Sequence, residues 1–261
     1  HSRFPLVVLD EADAFPYHND PVLYRALSRA VQAGGKTLYL SATPPRYLQK
    51  KLIPRGGKAF SWSFSLPLAS SSHVLLPGRY HGNALPVPKI LTVQGLHKRL
   101  KTNRPIASLI DTVKSSLSVD RQVFLFVPRV EDVEMVLAYT QKFLPDHADS
   151  MAGVHAADPL REDKVRAFRE KRYTVMVTTT ILERGVTIPR SDVVVVGAEA
   201  PVFDEASLVQ IAGRVGRSAD SPNGTVLFMQ ADRASAPKAA VKQIVRMNRL
   251  ADQLRTVEGG A

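Results

Sequence analysis

Short runs of β-branched and aromatic residues alternate with longer stretches of helical period along most of this chain, and that rhythm leaves few folds open. Pro5–Leu9, Thr37–Leu40, Gln122–Val127, Tyr173–Val177, Asp192–Val196 and Gly224–Met229 read as strands. Pro21–Ala33, Ile106–Leu117, Val130–Phe143, Leu160–Lys171 and Glu205–Ala212 carry apolar residues at helical spacing. Pro45–Leu52 is a further helix candidate, and Ala236–Leu254 closes the pattern as a long basic helix. Such alternation predicts an α/β fold of parallel sheets flanked by helices. Residues 89–261 hold enough elements for a complete domain. Residues 1–88 hold too few strands to bury a sheet on both faces, so a partial domain is expected there.

Composition narrows the chemistry. The chain has no cysteine, which removes disulfides, thiol catalysis and cysteine-ligated metal sites. Its 35 Lys and Arg against 24 Asp and Glu give a net charge of +11, which favours a polyanionic partner, nucleic acid first. No run of ~18 apolar residues exists, so no membrane-spanning helix is expected. The start, His1-Ser2-Arg3-Phe4-Pro5, lacks both Met and the apolar core of a signal peptide, which suggests a fragment or a processed product.

The polar residues that carry chemistry follow strands. Asp10-Glu11-Ala12-Asp13 comes directly after PLVVL, and ligands of open α/β sheets bind at the carboxyl ends of strands. Paired acids there suit phosphoryl transfer: one carboxylate anchors magnesium and the next activates water. Ser41-Ala42-Thr43 follows the next strand. Thr178-Thr179-Thr180 and Glu183–Pro189 follow another, where hydroxyls and backbone amides could hold phosphates. In Gln210-Ile211-Ala212-Gly213-Arg214-Val215-Gly216-Arg217, the two arginines are three residues apart and are expected on one helix face. Their forked guanidinium groups suit phosphate oxygens. Phe60, Trp62 and Phe64 alternate and would share one face of an extended segment, either packed on the core or offered to stacked bases. Gly34-Gly35-Lys36-Thr37 imitates a phosphate loop, but position 30 is Ala and the segment follows a helix, so it reads as a helix-ending turn. The histidines have no spacing that suggests a metal site.

These pieces stand in the order of a superfamily-two helicase. Asp10–Asp13 resembles motif II, the DEAD box; Ser41–Thr43 resembles motif III and Gln122–Arg129 motif IV; Thr178–Pro189 resembles motif V and Gln210–Arg217 motif VI. Asp10–Tyr17, Val154-His155 with Asp158-Pro159 and Arg161, Phe168-Arg169 and Arg246–Leu250 narrow the resemblance to the ComFA family of competence helicases.

The resemblance implies two RecA-like domains, the end of the first over 1–88 and the whole of the second over 89–261. It implies an ATP-dependent translocase on single-stranded DNA, with ATP and magnesium as cofactors. That translocase would serve the DNA-uptake machinery at the cytoplasmic face of the membrane during natural transformation. By motif position, Asp10 would hold magnesium and Glu11 would be the general base. Arg214 and Arg217 would reach the γ-phosphate across the cleft, supported by Gln210, while Gly185 and Thr187 would lie near the nucleotide. Thr187 stands where DEAD-box proteins usually carry Asp. Ser41 and Thr43 would couple hydrolysis to movement, and Arg129, Thr178 and Thr179 would face the DNA backbone. The family's phosphate loop and its four-cysteine zinc site are absent from this sequence and are expected upstream of it. The chain alone is therefore expected to hydrolyse ATP poorly. A replication-restart or recombination helicase is the alternative within the enzyme class, and a DNA-binding or protein-docking module without hydrolysis is the alternative outside it.

Overall fold

The computed structural model describes residues 3–13, 20–44, 74, 76–180 and 188–258. Two compact units emerge, His1–Leu75 and Leu76–Ala261. The sequence places the boundary at 88/89. The structure assigns residues 76–88 to the second unit because they are bonded to it: Leu85 to Asn248, and Arg79 to Gly213 and Gly216.

In the first unit, β1 (Phe4–Leu9) pairs in parallel with β2 (Val31–Tyr39), and α1 (Pro21–Ala30) connects them. Asp20 caps α1 by accepting from the amides of Val22 and Leu23, and Pro21 takes the first helical position. The helix ends at Ala30, three residues earlier than its periodicity suggests. Gly34 and Gly35 therefore do not cap it. They lie within β2, where Phe4 pairs with Val31 but Leu6 with Lys36, so the extra residues bulge. Gly34 takes φ +79° there, a conformation that suits glycine. PLVVL reads as a buried strand, yet Phe4, Leu6 and Val8 are about half exposed. Among the described residues this sheet has only two strands. One face packs Leu9 and Ala12 against Tyr24, Leu27 and Tyr39, and the other keeps its apolar side chains uncovered.

The second unit has the predicted form. Among its described residues, six parallel strands run in the order β3-β8-β7-β4-β6-β5. They are β3 (Lys89–Thr92), β4 (Gln122–Phe126), β5 (Met151–Val154), β6 (Val175–Thr178), β7 (Ser191–Val196) and β8 (Val226–Gln230). The helices are α2 (Leu96–Lys101), α3 (Ala107–Ser118), α4 (Val130–Phe143), α5 (Arg161–Arg169), α6 (Glu205–Ala212) and α7 (Ser235–Glu258). Strand residues alternate between two cores. Val123, Leu125, Val194 and Val196 join Leu96, Leu109, Val113, Val133 and Tyr139 of α2, α3 and α4. Phe124, Phe126, Val193 and Val195 join Phe168, Leu208, Ile211, Ala240 and Ile244 of α5, α6 and α7. With both faces covered, the middle of a strand favours apolar residues at successive positions, which accounts for the uninterrupted valines of β7, while its buried Ser191 and Asp192 are hydrogen-bonded. No helix among the described residues is long and apolar enough to cross a membrane.

Candidate functional site

In the first unit the chemistry gathers where β1 and β2 end side by side, with Leu9 paired to Tyr39. The Ala12 amide donates to Leu40 O at 3.0 Å, and the Tyr24 hydroxyl donates to Ala12 O at 3.0 Å. Ala12 is fully buried, so the acidic turn is pinned at its centre. Asp10 and Glu11 are exposed on one side of that pin. Glu11 holds φ 51°, and its amide donates to Asp10 Oδ1 at 2.8 Å. A carboxylate-bearing residue in this sparsely populated region costs about 1 kcal/mol or more, a cost met by the Ala12 anchor. On the other side Asp13 is buried and accepts from Ser41 Oγ and Thr43 Oγ1, each at 2.6 Å. Ser41 Oγ also accepts from the Thr43 amide at 3.1 Å.

The sequence brings Ser41 and Thr43 to the right strand end, and the structure adds Asp13 as the group they hold. Its signal was its place in Asp-Glu-Ala-Asp. The exposed carboxylates of Asp10 and Glu11 offer the hard oxygen donors that suit magnesium carried on nucleotide phosphates. Among the described residues no three His, Asp or Glu cluster as a metal site of their own.

The second unit places its candidates at strand ends too. Arg129 follows β4, is exposed, and grips the buried Asp132 with Nε at 3.0 Å and a terminal nitrogen at 3.1 Å. That hydrogen-bonded carboxylate raises the guanidinium above its ordinary value. Beside Arg129 opens a cleft of about 470 Å³ lined by His97, Pro128, Glu199, Pro201 and Val202, with His97 Nε2 3.4 Å from Glu199 Oε1. It lies past the ends of the neighbouring strands β4 and β7. Sequence reasoning passed over Ala198–Val202, although its position directly after a valine strand was the available signal. At the end of β6, Thr178 is fully buried and its hydroxyl donates to Thr179 O at 3.3 Å; Thr179 is half-buried. Of the two, only Thr179 is placed to meet a ligand. Gly185 and Thr187 lie outside the described residues, as do Glu183, the Phe60–Trp62–Phe64 face, the helix candidate Pro45–Leu52 and Ala14–Tyr17.

The arginine segment departs from expectation. Helix α6 stops at Ala212, after half-buried Gln210, so Arg214 and Arg217 do not share a helix face. Gly213 closes the helix and Gly216 turns the chain at φ +69°, where a Cβ would lie 2.0 Å from Pro222 O. Arg214 points inward, fully buried, its guanidinium carbon 5.8 Å from the Phe124 ring centroid. Arg217 is half-buried and its Nε donates to Gly213 O at 3.2 Å.

Comparison with known proteins bears on the fold. Residues 105–219 match the helicase conserved C-terminal domain. The chain is 35% identical over 253 residues, 97% of its length, to competence protein ComFA of Bacillus subtilis, and 34% identical over 95% of its length to that of Streptococcus pneumoniae. It spans about half of each, 51% and 54%. Its fold matches the Mycobacterium smegmatis helicase Lhr, solved bound to ssDNA and AMP-PNP, with a TM-score of 0.57 at 15% identity, over 95% of this chain and 31% of that one. The six-stranded sheet is that of a RecA-like helicase C-terminal domain.

Proposed function

We propose that the chain, whose residues 105–219 match the helicase conserved C-terminal domain, is part of an ATP-dependent translocase on single-stranded DNA that acts in natural transformation. The observation that carries the reading is the strand-end cluster of the first unit: Asp10 and Glu11 exposed, with Asp13 held by Ser41 and Thr43. That arrangement separates two tasks. Asp10 would bind magnesium on the nucleotide, whose charge neutralises the phosphates. Glu11 would orient the attacking water and take its proton. Asp13 would link those acids to the Ser41–Thr43 segment, so that a change on one strand end is felt on the other.

Arg217 and Arg214 would supply cations to the γ-phosphate, with Gln210 in support and the Gly185–Thr187 segment near the nucleotide. Arg214 would have to leave its place over Phe124 to do so, whereas Arg217 stands nearer the surface. Arg129 and Thr179 would meet the DNA backbone. The sequence offers no phosphate loop, since Gly34 and Gly35 lie in a bulge of β2 and Lys36 pairs with Leu6, so the chain alone would bind and hydrolyse ATP weakly. The similarity to two proteins named for competence supports a role beside the DNA-uptake machinery at the cytoplasmic face of the membrane.

The DNA part of the reading is tested by fluorescence anisotropy with a labelled single-stranded oligonucleotide across a salt series. Each phosphate contact contributes about −0.7 to the slope of log K against log salt. Binding is expected to weaken steeply, and Arg129→Ala is expected to flatten the slope by about one contact. An affinity that does not change with salt would contradict the assignment.

A further inference from the structure

Between the unit boundary and β3, residues 79–85 form neither strand nor helix, yet they are held firmly at two places. At one end Arg79 donates one terminal nitrogen to Gly216 O and the other to Gly213 O at 3.2 Å. His81 Nε2 lies 3.1 Å from Gly216 O, and the Tyr80 hydroxyl donates to Arg217 O at 3.2 Å. At the other end Leu85 and Asn248 of α7 exchange two hydrogen bonds of 2.8 Å, and Arg255 of the same helix donates to Gly82 O. Asn248 belongs to the Arg246–Leu250 segment, to which the proposed function gives no task.

The carbonyls gripped at the first end bracket Arg214 and Arg217. A helix leaves its last carbonyls without intrahelical donors, and a cation is favoured at that end. Arg79 meets both needs at the end of α6. It does so at a cost: burial, with the charge of Arg217 beside it, pulls its guanidinium down to about 10. A second cation beside Arg217 is retained because its fork fits the two carbonyls. The Gly216 turn also abuts Pro222 O. The loop is thus held at its carbonyls by residues 79–81 and packed against Pro222, and a phosphate-binding arginine needs placement to within ~0.5–1 Å.

We propose that residues 79–85 are a strap that positions the Arg214–Arg217 loop, with Arg79 gripping the loop and Asn248 fixing the strap to α7. The strap starts four residues after the unit boundary, so the connection between the units is tied to the loop that carries the arginines. Arg79 and Asn248 are positioning residues and touch no substrate; their effect on turnover rests on the ATP-hydrolysing reading above.

Two measurements test this. Amide hydrogen exchange of this chain compares the wild type with Arg79→Ala and Asn248→Ala. Amides of residues 213–217 are expected to exchange at least about tenfold faster in the variants, with those of β4 unchanged. Unchanged exchange at 213–217, or equal acceleration throughout, would overturn the proposal.

In the full-length protein, Arg79→Ala is expected to lower kcat for DNA-stimulated ATP hydrolysis about tenfold, with KM for ATP and DNA affinity within about twofold. Added to Arg217→Ala it should cause little further loss, because both act through one group. Additive losses would overturn the positioning role. A wild type without DNA-stimulated turnover would instead reject the functional reading, and the exchange result would still decide the strap.

Discussion

Asp192→Ala is expected to destabilise the second unit by about 3–5 kcal/mol, because it removes the buried partner of a half-buried arginine and leaves the buried Ser116 hydroxyl without its acceptor. Asp192 is buried at the start of β7 and accepts three hydrogen bonds: from Ser116 Oγ of α3 at 2.7 Å, from Arg121 Nε at 2.8 Å and from the Thr225 amide at 2.8 Å. Arg121 in turn donates to Ser221 Oγ, Ser191 O and Asn223 O. One ion pair thus ties α3, β7 and the loop entering β8, the same loop whose Pro222 backs the Gly216 turn. At roughly 2–4 °C per kcal/mol for a domain of this size, the melting temperature should fall by about 10 °C. Circular dichroism melts of this chain measure it. A loss below about 1 kcal/mol would mean that water or a rearranged Arg121 replaces the lost carboxylate.

Glu11→Gln is expected to lower the kcat of the full-length protein about 10²–10⁴-fold, the range that a positioned general base contributes. The substitution keeps the shape and the hydrogen-bonding oxygen but removes the proton acceptor. ATP binding should be largely retained, because Asp10 and the phosphate contacts remain. Turnover within about threefold of the wild type would transfer the base role to another residue. The strained backbone of Glu11, pinned through buried Ala12, is the physical reason to single it out from its neighbours.

The second unit was largely legible in the sequence because its inner strands are buried on both faces and so carry continuous apolar runs. The strands missed, β3 (Lys89–Thr92) and β5 (Met151–Val154), are the two edges of the sheet, four residues each. Edge strands pair on one side only and need no long apolar signature. The exposed Phe4, Leu6 and Val8 show the converse: an apolar run fixes a strand but not how many neighbours cover it.

At the site, Asp10, Glu11, Ser41, Thr43 and Arg129 all stand at strand ends, as their positions after apolar runs implied. The partnership of Asp13 with Ser41 and Thr43 spans 28 and 30 residues, and a linear pattern does not register such a contact. Arg214 and Arg217 looked helical because spacing alone does not reveal that α6 stops at Gly213. The strap was invisible for a related reason, since residues 79–85 carry neither a helical nor a strand period and their role rests on hydrogen bonds to distant residues.

On the proposed function, this chain would supply the acids and arginines of a DNA-stimulated ATP motor, and its sequence holds no phosphate loop. Steady-state ATP hydrolysis of the 261-residue chain and of the full-length protein, each with and without single-stranded DNA, tests it directly. The expected result is DNA-stimulated turnover in the full-length protein and background rates in the chain. Robust turnover by the chain alone that is lost on Glu11→Gln, or a full-length protein that binds DNA without hydrolysing ATP, would contradict it.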